Sequence, residues 1–142
     1  MSDEQRERIG RRAGQFAAEV VRRRHGKLIK RGKRLAHLDD HRRHRARIAA
    51  KKVRYATEFF APLFARRVVR HYVDALTALQ DDLGWRNDAV VADQLLKLLP
   101  RTSPEAAPGA AFARGYLASR VAADHQTLKK RWKRFRRLSP PH

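Results

Sequence analysis

An all-α fold, a helical bundle of about five helices, is what this sequence predicts, and three observations carry the prediction. Apolar residues recur at three- and four-residue steps along most of the 142-residue chain. No segment alternates apolar and polar residues as a half-buried strand would, and no glycine-rich phosphate loop occurs. No proline precedes Pro62, so nothing interrupts a helical reading of the opening segments.

The first helix is expected from Asp3 to Leu38, with Phe16, Ala17, Val21, Leu28, Leu35 and Leu38 at helical spacing and Gly26 and Gly32 as its weak points. Its other side bears Arg23, Lys27, Lys30, Arg34 and His37. Asp39 and Asp40 suit the positive end of a second helix, which Pro62 should end or bend. On that helix His44, Arg47, Lys51, Arg54, Tyr55 and Glu58 share a sector of roughly 100°, with Ala46, Ala49, Val53, Ala56, Phe60 and Leu63 nearly opposite. A third helix is expected from Arg66 to Leu83, burying Val69, Val73, Leu76, Leu79 and Leu83, with Gly84 as its stop. Asn87 or Asp88 would cap a fourth, apolar through Val90, Val91, Leu95, Leu96 and Leu98 and ending near Leu99. Arg101 to Gly109 reads as a loop, and Ala110 to Arg137 as a last helix turning Phe112, Leu117, Val121, Leu128 and Phe135 inward. By length, residues 1–142 form one domain, with 138–142 as a disordered tail.

Charge is the exceptional quantity. The chain carries 34 Lys and Arg against 14 Asp and Glu, a net charge of +20 and a pI near 11.6. Such an excess destabilises a compact state by self-repulsion and points to a polyanionic partner: nucleic acid, an anionic membrane or polymeric phosphate. With no cysteine, disulfides, thiol nucleophiles and Cys-type zinc sites are excluded from the chain. The opening residues lack the apolar core of a signal peptide and no apolar run could span a membrane, so a cytoplasmic location is the default expectation.

Two segments resemble motifs of the CHAD family, the conserved histidine α-helical domain. Residues 44–60, His-Arg-Ala-Arg-Ile-Ala-Ala-Lys-Lys-Val-Arg-Tyr-Ala-Thr-Glu-Phe-Phe, are similar to its His-x-x-Arg-x-x-x-Lys-x-x-Arg-Tyr helix. Leu79-Gln80-Asp81-Asp82-Leu83-Gly84-Trp85-Arg86-Asn87-Asp88 is similar to its Leu-Gln-x-x-Leu-Gly-x-x-Asn-Asp segment. The resemblance is to the C-terminal half of the domain, which usually consists of two related helical bundles facing across a basic surface. It implies one such half, with two copies pairing to rebuild the whole or the chain being a fragment, and it implies binding of inorganic polyphosphate. The alternating Glu-x-Glu-x-Lys strand of the triphosphate-processing CYTH module, joined to the domain in some members, has no counterpart here.

Polyphosphate offers closely spaced anionic oxygens and no bases, so recognition must come from charge density and donor geometry. Arginine grips two oxygens with a planar fork, and lysine acts as a point charge. The expected site is a groove lined by Arg47, Lys51 and Arg54 of the second helix and Arg23, Lys27, Lys30 and Arg34 of the first, flanked by Lys129, Lys133 and Arg136. His44 is expected to contact phosphate or to begin a polar network with Glu58, while Tyr55 and Glu58 would orient the arginines. Gln80, Asn87 and Asp88 are expected to cap and satisfy the turn at Gly84.

The competing readings are a nucleic-acid-binding helical protein and a basic adaptor for an acidic protein or anionic membrane. Two Trp and three Tyr form no stacking array, and no helix-turn-helix pattern stands out, so nucleic acid is expected only as a nonspecific competitor. No metal or cofactor is expected: arginines surround His41 and His44, and Asp81 and Asp82 point about 100° apart on a helix. With no nucleophile elbow either, a non-catalytic role is the expectation, and association with polyphosphate granules would follow from it.

Overall fold

The structure, a computed structural model, describes all residues 1–142. It is all-α, with five helices: α1 Asp3–Arg31, α2 Asp40–Phe59, α3 Arg66–Thr102, α4 Ala107–Ala123 and α5 His125–Arg136. Single 3-10 turns occupy Leu35–His37, Ala61–Leu63 and Pro104–Ala106. No helix is long and apolar enough to cross a membrane.

The caps explain where the first two helices begin. Ser2 Oγ accepts from the Gln5 N–H while Gln5 Oε1 accepts from the Ser2 N–H, at 3.2 and 2.9 Å. Asp39 accepts from the Arg42 N–H at 2.8 Å, as its position before α2 predicts. α1 ends at Arg31 rather than at Leu38. The cause is Gly32, where an added Cβ would stand 2.2 Å from the Trp132 ring; the indole of α5 closes over the chain there. Arg34 then takes a left-handed φ of 57° and begins the short turn.

The expected third and fourth helices are one helix of 37 residues, running through Gly84 and Pro100. A helical glycine costs about 1 kcal/mol, which the packing of Leu79, Leu83 and Ala89 on either side of Gly84 outweighs. Pro100 falls in the last turn. The expected loop at Arg101–Gly109 is mostly helical, with Pro108 in the first turn of α4, where its missing N–H is tolerated. The expected last helix is two, bent at Asp124.

The core joins Val21 and Leu28 of α1, Leu35, Ala46, Ala50 and Val53, the Tyr72–Leu83 half of α3, and Leu128, Trp132 and Phe135 of α5. α4 stands outside it with Ala110 as its one buried residue, packing along the distal half of α3. Three residues expected on the buried side are exposed: Phe16 at 61%, Leu63 at 45% and Phe112 at 78%. The expected disordered tail is seated instead, with Leu138 against the core and Pro141 buried.

Candidate functional site

Once α2 starts at its Asp39 cap, helical geometry sets His44, Arg47, Lys51 and Arg54 in a row about 15 Å long. His44 is exposed and the other three are half-buried against α3. Arg54 Nη1 donates to Gln80 Oε1 at 3.3 Å and its Nε to Glu58 Oε1 at 2.9 Å. Glu58 thus holds the Arg54 guanidinium rather than pairing with His44, while Tyr55, 62% exposed, touches none of these groups through a hydrogen bond. His44 and Arg47 line a recess of about 30 Å³ with Asp40, Arg43, Leu83 and Asn87. Asp40 is spoken for by Arg43 at 2.9 Å, and neither Arg47 nor Lys51 has a carboxylate partner.

Gln80 and Asn87 are therefore misassigned as helix caps. Seven residues apart on a continuous helix, they lie about 20° apart in projection and face the α2 row. Gly84 stands between them, and a Cβ there would meet nothing within 4 Å, so this part of the surface is bare. Their spacing is the helical signal that the assumed break at Gly84 hid.

The expected groove between the first two helices does not form. α1 packs on the far side of α2, where the Phe16 and Phe60 rings meet edge-on at 6.0 Å, and Phe60 lies nearly opposite the row in projection. Arg23 is exposed and paired with Glu19 at 3.2 Å. Lys27 and Lys30 are exposed on α1 without partners. Arg34 instead joins Lys129, Lys133 and Arg136 around a cavity of about 380 Å³ between the Leu35–His37 turn and α5, together with His37 and Lys130. The residues singled out in the sequence thus fall on two basic surfaces: the α2 row facing α3, and the turn facing α5.

Between the two lies a buried ion-pair network. Asp82, 3% exposed, accepts from Arg86 Nε at 3.2 Å and from Arg131 Nη1 at 3.0 Å, and Arg86 Nη2 donates to Asp124 at 3.2 Å. Burial pushes the Asp82 carboxyl up to about 6; the neighbouring Asp124 adds to this, and the two guanidinium groups oppose it. The network fastens α3 to the α4–α5 corner. The His125 ring there lies 5.1 Å from His37, and desolvation, with His37, Lys129, Arg86 and Arg43, holds its pKa below the ordinary value. Asp93 is likewise engaged, by Arg114 at 2.9 Å, and no three metal-ligating side chains converge.

Comparison with known proteins adds a family to this geometry. No curated protein matches the chain. The crystal structure of the CHAD domain from the plant Ricinus communis is similar, with 38% identity and a TM-score of 0.74 over 91% of this chain and 45% of that one. This chain accordingly spans less than half the length of the plant chain it matches. The CHAD domain family itself matches over residues 2–97, which include the α2 row and the Gln80–Asn87 face opposite it. The chain belongs to the CHAD family.

Proposed function

We propose that this chain binds inorganic polyphosphate along the α2 row and does no chemistry on it. The observation that carries the reading is the row itself: His44, Arg47, Lys51 and Arg54, about one donor group per helical turn, with Arg47 and Lys51 unneutralised and amide side chains of Gln80 and Asn87 facing them. A flexible phosphate chain laid along it would meet guanidinium forks and an ammonium group with amide donors on the opposite wall. Arg54, held by Glu58 and Gln80, would meet the chain already oriented, which lowers the entropic cost of binding. Each phosphate contact releases counterions, so affinity should fall steeply with salt. A cytoplasmic place, on polyphosphate granules, fits this role.

Two copies of the chain are proposed to face each other across the row. Val91, Leu95 and Leu98 are exposed at 47%, 64% and 48%. They continue along α3 on the face that carries Gln80 and Asn87, so an apolar stripe runs on from the polar wall. Light scattering after size exclusion tests this directly. The expected result is a dimer that Leu95→Lys with Leu98→Lys converts to monomer; a monomer with and without polyphosphate contradicts it.

The functional reading is tested by titrating long-chain polyphosphate at physiological salt. Arg47→Ala with Lys51→Ala and Arg54→Ala should abolish most of the affinity. Retention of full affinity by this variant overturns the assignment to the α2 row.

A further inference from the structure

The α2 row is not the only place where cations gather without counter-charge. Arg34, His37, Lys129, Lys130, Lys133 and Arg136 converge on the cavity between the Leu35–His37 turn and α5, and no carboxylate lines it. Local sequence builds it from both sides. Gly32 admits the Trp132 ring, after which Arg34 adopts a left-handed conformation that non-glycine residues rarely hold. On α5, Lys129, Lys133 and Arg136 follow at four- and three-residue steps and so share one face. Trp132, 6% exposed, forms part of the wall, and its Nε1–H is the one buried side-chain polar atom in the molecule without a hydrogen-bond partner. A buried donor in that state is unfavourable until something supplies an acceptor.

Two histidines stand between the cavity and the row's recess. His37 on its wall stands 5.1 Å from His125, and Arg43 and Arg86, which line the recess beside His44 and Arg47, bear on the His125 ring, as does Lys129. The carboxylates next to the two rings in the chain are already engaged, Asp39 by Arg42, Asp40 by Arg43 and Asp124 by Arg86.

We propose that the turn–α5 cavity is a second phosphate-binding subsite, and that one chain of condensed phosphate passes from the α2 row over His37 and His125 into it. The proposal rests on the polyphosphate reading above. The cations acting on His125 are Arg43 of α2, Arg86 of α3 and Lys129 of α5, Arg34 lines the cavity with His37, and the carboxylates beside the two rings, Asp39, Asp40 and Asp124, are ion-paired. The cations oppose protonation of His125 in the free protein. An overlying phosphate chain reverses that balance, so binding takes up protons and tightens as the pH falls from about 8 to about 6.

Calorimetric titration of the full chain with tripolyphosphate and with long-chain polyphosphate tests this. Tripolyphosphate should fill two sites per chain, and one site after Lys129→Ala, Lys133→Ala and Arg136→Ala; long-chain affinity should drop on the order of tenfold in that variant, because the two subsites act on one ligand. In Trp85→Phe protein, where Trp132 is the remaining indole, tripolyphosphate should change the emission, and the α5 substitutions should remove the change. His37→Gln with His125→Gln should flatten the pH dependence of long-chain binding. Unaltered stoichiometry and long-chain affinity in the α5 variant would overturn the second subsite while leaving the α2 row intact. So would an equal loss on Arg6→Ala, Arg8→Ala and Arg12→Ala, since attraction would then be diffuse. Failure of the unaltered protein to bind either phosphate would overturn the functional reading and this proposal with it.

Discussion

The two ends of this chain carry arginine in different ways. Along the start of α1, Arg6, Arg8 and Arg11 each reach a carboxylate three or four residues back, Asp3, Glu4 and Glu7, at 4.0, 3.5 and 2.8 Å. α5 contains no carboxylate, and of its six Lys and Arg residues only Arg131 has a partner, Asp82 from α3. The first arrangement largely cancels its own charge within that stretch, and exposed pairs of this kind contribute little to stability. The second leaves its charge to be met from outside, as do Arg47 and Lys51 of the α2 row. A net charge of +20 is therefore not spread evenly. The difference locates the binding surfaces and names the control against which they should be tested.

The largest expected effect separates the α2 row from the start of α1. Arg47→Ala with Lys51→Ala and Arg54→Ala should weaken long-chain polyphosphate binding on the order of 100-fold, at about 1 kcal/mol for each lost contact. Arg6→Ala with Arg8→Ala and Arg12→Ala should cost less than about threefold, because surface ions far from the row act only through screened long-range attraction. Fluorescence anisotropy at physiological salt reads both.

Next comes Gly32→Ala, which strikes the seat of α5. Its Cβ would lie 2.2 to 2.7 Å from three atoms of the Trp132 ring, and the forced shift should destabilise the fold by about 1–3 kcal/mol in urea denaturation. Gly10→Ala, on the self-neutralised stretch of α1, meets nothing within 4 Å and should stabilise slightly or have no effect.

A smaller effect is expected at His25, where α1 is clamped to the other helices. Its Nδ1 shares a hydrogen bond of 2.7 Å with the Tyr72 hydroxyl, and its ring packs on Phe135 of α5. Burial lowers the His25 pKa below its ordinary 6.5 and raises that of Tyr72, so both are neutral in the fold. Below about pH 6.5 the unfolded chain takes up this proton more readily than the folded one, and the stability that neutral His25 supports is lost as the pH falls. Tyr72→Phe should cost about 1 kcal/mol near pH 8, the value of a typical hydrogen bond, and should reduce the acid-side loss seen in thermal melts. The smallest effect belongs to Glu58→Gln, which loosens Arg54 but removes a negative charge from the row; long-chain affinity should move by less than about threefold.

Much of this molecule was legible in local sequence. The Asp39 cap, the polar sector of α2 and its opposed Ala46 and Val53 all follow from spacing within one helix, and the two motif segments carry the family. What escaped prediction depended on residues far apart in the chain. Gly32 looked like a weak point in a helix; only Trp132, a hundred positions away, makes it an end. Gly84 looked like a stop because its cost is local, whereas the packing that outweighs it comes from α2 and α5. Basic stripes on both α1 and α2 point to a groove between them, but the stripe positions alone do not say which neighbour each flank meets. Phe112 reads as core by spacing, yet α4 packs mainly along α3, outside the core, and turns that ring to solvent.

Competition between long-chain polyphosphate and duplex DNA, at equal phosphate concentration and physiological salt, reaches the central claim most directly. Donors placed for a flexible chain of phosphate along α2 predict that DNA leaves most of the polyphosphate bound. Displacement by DNA at parity would contradict it, leaving a basic surface that attracts any polyanion.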